Sequence, residues 1–127
     1  MAFVRVYSGD DGQSHLEDLD LLPADFPDFE KLMLFAATNI SFKRLPDGYF
    51  LDFHASHVRL FQVYMSGGQY EVGVGDGTSR WLGPGDVLLF EDLTGQGHTS
   101  RCEGGLVAAD VALPSVSFGS NILQIKP

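Results

Sequence analysis

Short apolar runs, four to eight residues long and mostly separated by glycine-bearing breaks, dominate this chain from residue 31 onward. Such runs are too short for average helices and match strands, and short strands at close, regular spacing argue for an antiparallel sandwich or barrel. The candidates are Lys31 to Ala37, Ile40 to Arg44, Tyr49 to His54, Val58 to Met65, Gln69 to Val74, Ser79 to Leu82, Asp86 to Phe90, His98 to Cys102 and Leu106 to Leu113. Ser66-Gly67-Gly68 reads as a hairpin turn between two of them and Gly75-Asp76-Gly77 as the next, with glycine supplying the positive φ that tight hairpins demand. The expected architecture is all-β: a single-domain antiparallel β-barrel or double-stranded jelly roll. A length of 127 residues leaves room for one such domain and not for two.

The ends of the chain read differently from its middle. Ala2 to Tyr7 alternates as a strand would, and Ser8-Gly9-Asp10-Asp11-Gly12 closes it with a turn. Residues 1–30 hold eight acids against the single base Arg5, so this segment reads as an acidic strand and solvated wrap around a barrel formed by residues 31–113. Pro23 and Pro27 interrupt the wrap, leaving Phe26, Phe29 and Leu32 as loop with at most one helical turn. The tail, residues 114–127, ends in the apolar set Ile122, Leu123 and Ile125, a candidate edge strand for this or another subunit.

Charge and cysteine content exclude several functions. A net charge of -9 opposes binding to a polyphosphate backbone, so nucleic acid is not an expected partner. Cys102 stands alone, which rules out an internal disulfide and suits a reducing compartment. No apolar stretch is long enough to span a bilayer as a helix and no leader pattern opens the chain, so a cytoplasmic protein is expected. The sequence has no phosphate loop, no Gly-x-Ser-x-Gly elbow and no Cys-x-x-Cys pair.

Residues 48–98 carry the chemistry. In a regular strand Phe50, Asp52, His54 and Ser56 share one face, opposite Tyr49, Leu51 and Phe53; further on, Leu60, Gln62 and Tyr64 share a face. If that face is the lumen, it carries an amide and a phenol that need partners: each other, water or a ligand. Gly48, His54 and Gly67, followed by the turn Gly83-Pro84-Gly85-Asp86, the run Val87-Leu88-Leu89-Phe90 and His98 one loop later, resemble the two motifs of the cupin superfamily over roughly residues 30–113. The resemblance implies a small barrel of two antiparallel sheets, a small molecule in its lumen and a homodimer. The loop Glu91-Asp92-Leu93-Thr94-Gly95-Gln96-Gly97 resembles a variant of the second motif in small bacterial members.

The departures bear on mechanism. Where the resemblance implies a second histidine the chain has Ser56, and where it implies a glutamate it has Leu60; His54 and His98 are the two implied metal ligands that survive. Catalytic Fe, Mn, Ni or Zn takes three or more protein ligands, so His57, Asp92, Glu91 or Asp52 would have to complete a set with them. His57 faces away from His54 in a regular strand and needs a bulge to turn inward. Asp92 has the alternative role of capping its own turn, Trp81 that of packing the barrel or lining its mouth, and Cys102 that of inert core. The expectation is a small-molecule-binding cupin-like barrel, with an isomerase or lyase type of acid/base enzyme favoured over a metal-dependent oxygenase type or a passive binder. His54 and His98 are the candidate acid and base; Gln62, Tyr64, Ser56 and Trp81 are candidate substrate contacts. What separates chemistry from simple fit is whether Asp92 and His98 converge on His54.

Overall fold

The computed structural model describes residues 1–20, 32–114 and 122–125. Every regular element among them is a strand: β1 (Phe3–Ser8), β2 (Ser14–Leu19), β3 (Leu32–Phe35), β4 (Asn39–Leu45), β5 (Phe50–His54), β6 (Leu60–Gly73), β7 (Ser79–Leu82), β8 (Val87–Glu91), β9 (His98–Ala112) and β10 (Ile122–Ile125). Among the described residues no helix is long and apolar enough to cross a membrane.

Two long antiparallel strands, β6 and β9, organise the rest. The first half of β6 pairs with β8 and its second half with β7. Along β9, the first residues pair with β5 and the last with β4. Two layers result from shared strands, one ordered β2-β1-β8-β6-β9-β4 and the other β7-β6-β9-β5. Val4, Val6, Tyr64, Tyr70, Val72, Leu82, Leu88, Cys102 and Leu106 fill the space between them. This is the all-β barrel of jelly-roll type, with one departure from a purely antiparallel order: β1 runs parallel to β8, Phe3 opposite Val87 through Tyr7 opposite Glu91.

The expected hairpin at Ser66-Gly67-Gly68 does not exist. Those residues lie inside continuous β6, where the register with β9 slips twice, between Tyr64 and Ser66 and again between Gly67 and Gln69. Glycine serves here as a bend and not as a chain reversal. Gly67 has φ +107°, and a Cβ on Gly68 would stand 1.9 Å from the Glu103 carbonyl oxygen, so paired bulges turn both strands from one layer into the other without ending them. His98 to Cys102 and Leu106 to Leu113 are likewise joined into one strand. The Gly75-Asp76-Gly77 turn does form, with Gly77 N–H donating to the Val74 carbonyl.

The N-terminal segment does more than wrap. Val4 and Val6 are fully buried in the core, and β2, not anticipated from the sequence, closes the edge beside β1. The single turn expected near Phe26 and Phe29 lies outside the described residues. The candidate edge strand of the tail is β10, which pairs with β3 of the same chain. The outer face of the larger layer carries a second apolar cluster, Phe61, Val87, Leu89 and Leu113, with Phe35 packed edge-on to Phe61 at 4.7 Å.

β8 ends in an acid pair whose members part company because side chains alternate across a strand. Glu91 follows Val87 and Leu89 outward, where Arg5 Nε donates to its Oε1 (2.6 Å) and Arg59 Nε to its Oε2 (2.5 Å). Arg59 is only 4% exposed and also donates to the Pro114 carbonyl (2.9 Å). Asp92 turns the other way, towards the site.

Candidate functional site

A cavity of about 370 Å³ opens between the layers, lined by β4, β5, the segment after β5, and inward residues of β6, β8 and β9. Its size suits a small organic molecule. Side chains that reach it include Lys43, Tyr49, Leu51, His54, Ser56, His57, Leu60, Gln62, Tyr70, Phe90, His98 and Ser100.

His98, the first residue of β9, is 1% exposed, and Asp92 is completely buried. His98 Nδ1 lies 2.5 Å from Asp92 Oδ2. A carboxylate accepts, so Nδ1 donates, and in the neutral ring the lone pair is then on Nε2. The same Oδ2 accepts from Ser14 Oγ (2.7 Å), and Oδ1 accepts from Ser56 Oγ (3.2 Å). Ser56 N–H also donates to the Asp92 carbonyl (2.9 Å). Strand β2, the loop after β8 and the segment after β5 are thereby tied to one carboxylate.

His54 arrives from β5 opposite His98, with ring centroids 4.5 Å apart. Its Nδ1 donates to the Asp52 carbonyl (2.7 Å), which leaves Nε2 as the lone-pair nitrogen here too. Simple alternation groups His54 with Phe50 and Asp52. The register slips between Leu51 and His54, and this bulge turns His54 to the face of Tyr49 and Leu51, into the cavity. Gly97 makes the approach possible: its φ is +82°, and a Cβ there would stand 1.9 Å from the His54 carbonyl oxygen.

Of the other anticipated residues, Gln62 reaches the cavity, but Tyr64 lies behind it. Tyr64 Oη donates to Gln62 Oε1 (2.5 Å) and Gln62 Nε2 donates to Asp110 Oδ1 (3.1 Å), so the phenol positions the amide and does not reach the cavity wall. Ser56 lines the cavity while donating to Asp92, and His57 stands exposed on its rim. Trp81 neither packs the barrel nor lines its mouth: it is 39% exposed on β7, with the Arg101 guanidinium 5.6 Å from its ring centroid. Cys102 is fully buried in the core.

Sequence reasoning overlooked Lys43, Asp110 and Ser14. Lys43 Nζ pairs with Asp110 Oδ2 at 2.9 Å. An acid within the apolar run Leu106 to Leu113 was the available signal, because a charge on a core strand needs a partner. Ser14 had none, since it belongs to the strand that was missed.

The donor set does not fit the divalent metal that the resemblance implies. Among the described residues no three His, Cys, Asp or Glu side chains come together as ligands. Asp92 holds the Nδ1 side of His98, Glu91 is held by arginines on the outer face, and the Asp52 carboxylate accepts from Phe53 N–H (2.8 Å). Ser56 and Leu60 do face the cavity, at the positions of the implied second histidine and glutamate, with side chains that do not replace those ligands.

Burial pushes the phenols of Tyr64 and Tyr70 above their ordinary value of 10.0. Both contribute stability in the protonated form, fully present below pH 10 and lost as pH rises towards the folded-state values. Each tyrosine adds a slope of about 1.4 kcal/mol per pH unit there. Tyr64→Phe, which gives up the bond to Gln62, should be less stable than the parent at pH 8, and the gap should close above pH 10; urea midpoints from pH 8 to 11 measure it.

Neither a protein-family model nor a curated protein matches the chain. Among solved structures it is similar to the Neisseria meningitidis protein NMB1881, with 17% identity over 64% of this chain and 84% of that one and a TM-score of 0.48. It is also similar to a candidate ethanolamine utilization protein Q from Salmonella typhimurium, with 12% identity over 91% of this chain and 98% of that one and a TM-score of 0.49.

Proposed function

We propose that the barrel binds a small organic molecule bearing a carbonyl or carboxylate group and moves a proton at the carbon beside it, as an isomerase or lyase does. The observation that supports this is the convergence of the Asp92–His98 pair on His54 at the cavity wall. Two imidazoles with both Nδ1 positions occupied present two Nε2 atoms to one ligand, one able to take a proton as base and the other, once protonated, able to give one. Asp92 holds the His98 ring in one tautomer and balances the positive charge that develops when Nε2 accepts the proton. Gln62 has one acceptor committed to Tyr64 and one N–H to Asp110, which leaves its second N–H as a donor for a substrate oxygen. Leu60, Leu51 and Phe90 keep the surroundings apolar, where such interactions are stronger than in water.

The test works with the substrate still unidentified. Three- to six-carbon oxo acids and hydroxy ketones are incubated with the protein in deuterium oxide, and proton NMR follows loss of the signal at the carbon beside the carbonyl. Exchange is expected with the parent protein and should fall by about 10²- to 10⁴-fold in His98→Asn, which keeps a donor for Asp92, and in His54→Ala. Ligand-induced shifts without exchange would identify a non-catalytic binder, and exchange surviving His98→Asn would remove the histidine from the chemistry.

A further inference from the structure

The chain carries 17 acids and a net charge of -9, yet among the described residues no aspartate or glutamate lines the cavity. The acids nearest to it are occupied: Asp92 accepts from Ser14, Ser56 and His98, and Asp110 accepts from Lys43 and Gln62. Among the described residues the one lysine or arginine on the wall is Lys43.

Lys43, with its side chain 40% exposed, faces the cavity for a reason of register. It lies opposite Ala108 of β9, which is fully buried in the core, so cross-strand pairing sets both on the inner face. An ammonium has three N–H donors and Asp110 takes one. Beside it, Gln62 holds its Oε1 on Tyr64 and points an amide N–H side at Asp110. This part of the wall is therefore rich in donors and has no uncommitted anionic acceptor, and the remainder is largely Leu45, Leu51, Leu60 and Phe90. A ligand that leaves water for such a wall must bring acceptor oxygens, and one that brings a negative charge meets a cation in a partly apolar setting.

We propose that the cavity selects a small carboxylate, anchored by Lys43 and Gln62, with Lys43 as the residue that determines specificity. The anchor rests on the proton-transfer reading only for what then happens to the bound acid. With the carboxylate anchored at the β4 side, the C–H offered to the two imidazoles is that at C3 of a 2-oxo acid, beside its carbonyl, or at C2 of a 2-hydroxy acid, and these two classes are the substrates that the combined reading gives.

Butyrate, 2-oxobutyrate and uncharged butyramide are titrated into the full chain at pH 7, with affinities read by calorimetry and the histidine ring signals. The carboxylates should bind at least about tenfold more tightly than the amide. Lys43→Met should bring them down to the amide's affinity, Lys43→Arg should restore part of the difference, and Asp110→Asn, which removes a competing negative charge, should hold or improve it. Equal binding of butyrate and butyramide overturns the anchor, as does undiminished carboxylate binding by Lys43→Met. The deuterium exchange assay on the same samples separates the two readings. Exchange that persists with no dependence on Lys43 defeats the anchor alone, whereas Lys43-dependent binding without exchange defeats the proton transfer alone.

Discussion

Asp92→Asn should lower proton exchange by roughly 10³- to 10⁴-fold, the scale seen when the carboxylate behind a catalytic histidine becomes an amide. The Oδ2 atom receives hydrogen bonds from both Ser14 and His98, and Oδ1 receives one from Ser56. An asparagine offers one acceptor oxygen in place of two. With that oxygen at the Oδ2 position the ring stays in place, but nothing balances the charge on the imidazole when Nε2 takes a proton. With the amide reversed, its N–H₂ faces His98 Nδ1 and imposes the other tautomer, which puts a hydrogen on Nε2 where the lone pair is needed. Either way the base is impaired. The structural cost is separate and smaller, about 1–3 kcal/mol for a buried group left with a poor partner, and thermal melting reads it. Exchange at the parent rate in a folded Asp92→Asn protein would reduce Asp92 to a tie between strands.

Glu91→Ala should be strongly destabilising, by about 3–5 kcal/mol, because it removes the nearly buried carboxylate that Arg5 and Arg59 share, even though Arg5 keeps its pairing with Glu17 at 3.3 Å. Arg59 is nearly fully buried and Arg5 is a fifth exposed. Removing one partner of a buried ion group costs far more than removing all of it. The double change Glu91→Met with Arg59→Met should therefore recover most of the loss. Melting temperatures and urea midpoints of the three proteins decide this: a drop of roughly 10–20 °C is expected for the single change, from about 3–5 °C per kcal/mol in a domain of this size. A drop of no more than a few degrees would mean that water or the other partners of the arginines carry their charge. Deuterium exchange should persist in the double variant, since Glu91 and Asp92 point to opposite faces.

These two neighbouring acids show where reading the sequence succeeds and where it stops. As a pair after a strand they are indistinguishable, and both are candidates for a metal site. Alternation separates them only once β8 is known to end at Glu91 and its inner face is known. The same limit applies to β5. Alternation sets His54 apart from Leu51, and a single extra residue between them reverses the outcome. Bulges leave little trace in composition, because any residue can be the unpaired one.

Glycine is informative about position and ambiguous about consequence. Gly75-Asp76-Gly77 reverses the chain, while Ser66-Gly67-Gly68 bends a strand that continues. The difference lies in what stands opposite. The β9 backbone comes so close to the second group that a Cβ on Gly67 would stand 2.3 Å from the Gly105 carbonyl oxygen and one on Gly68 1.9 Å from that of Glu103, and the two strands fold over together.

The order of apolar runs and glycine breaks was sufficient for an all-β barrel and for most strand positions, because strand periodicity and turn chemistry are local properties, whereas His54 and His98 stood out by the motif resemblance and Gln62 by alternation. Pairings between residues far apart in the chain belong to the tertiary structure alone. It brings Ser14 to Asp92 across 78 positions and Gln62 to Asp110 across 48, sets Lys43 inward against Ala108, and sends Tyr64 behind Gln62. Such contacts depend on which strands become neighbours and in what register, and burial then decides which polar groups must find each other.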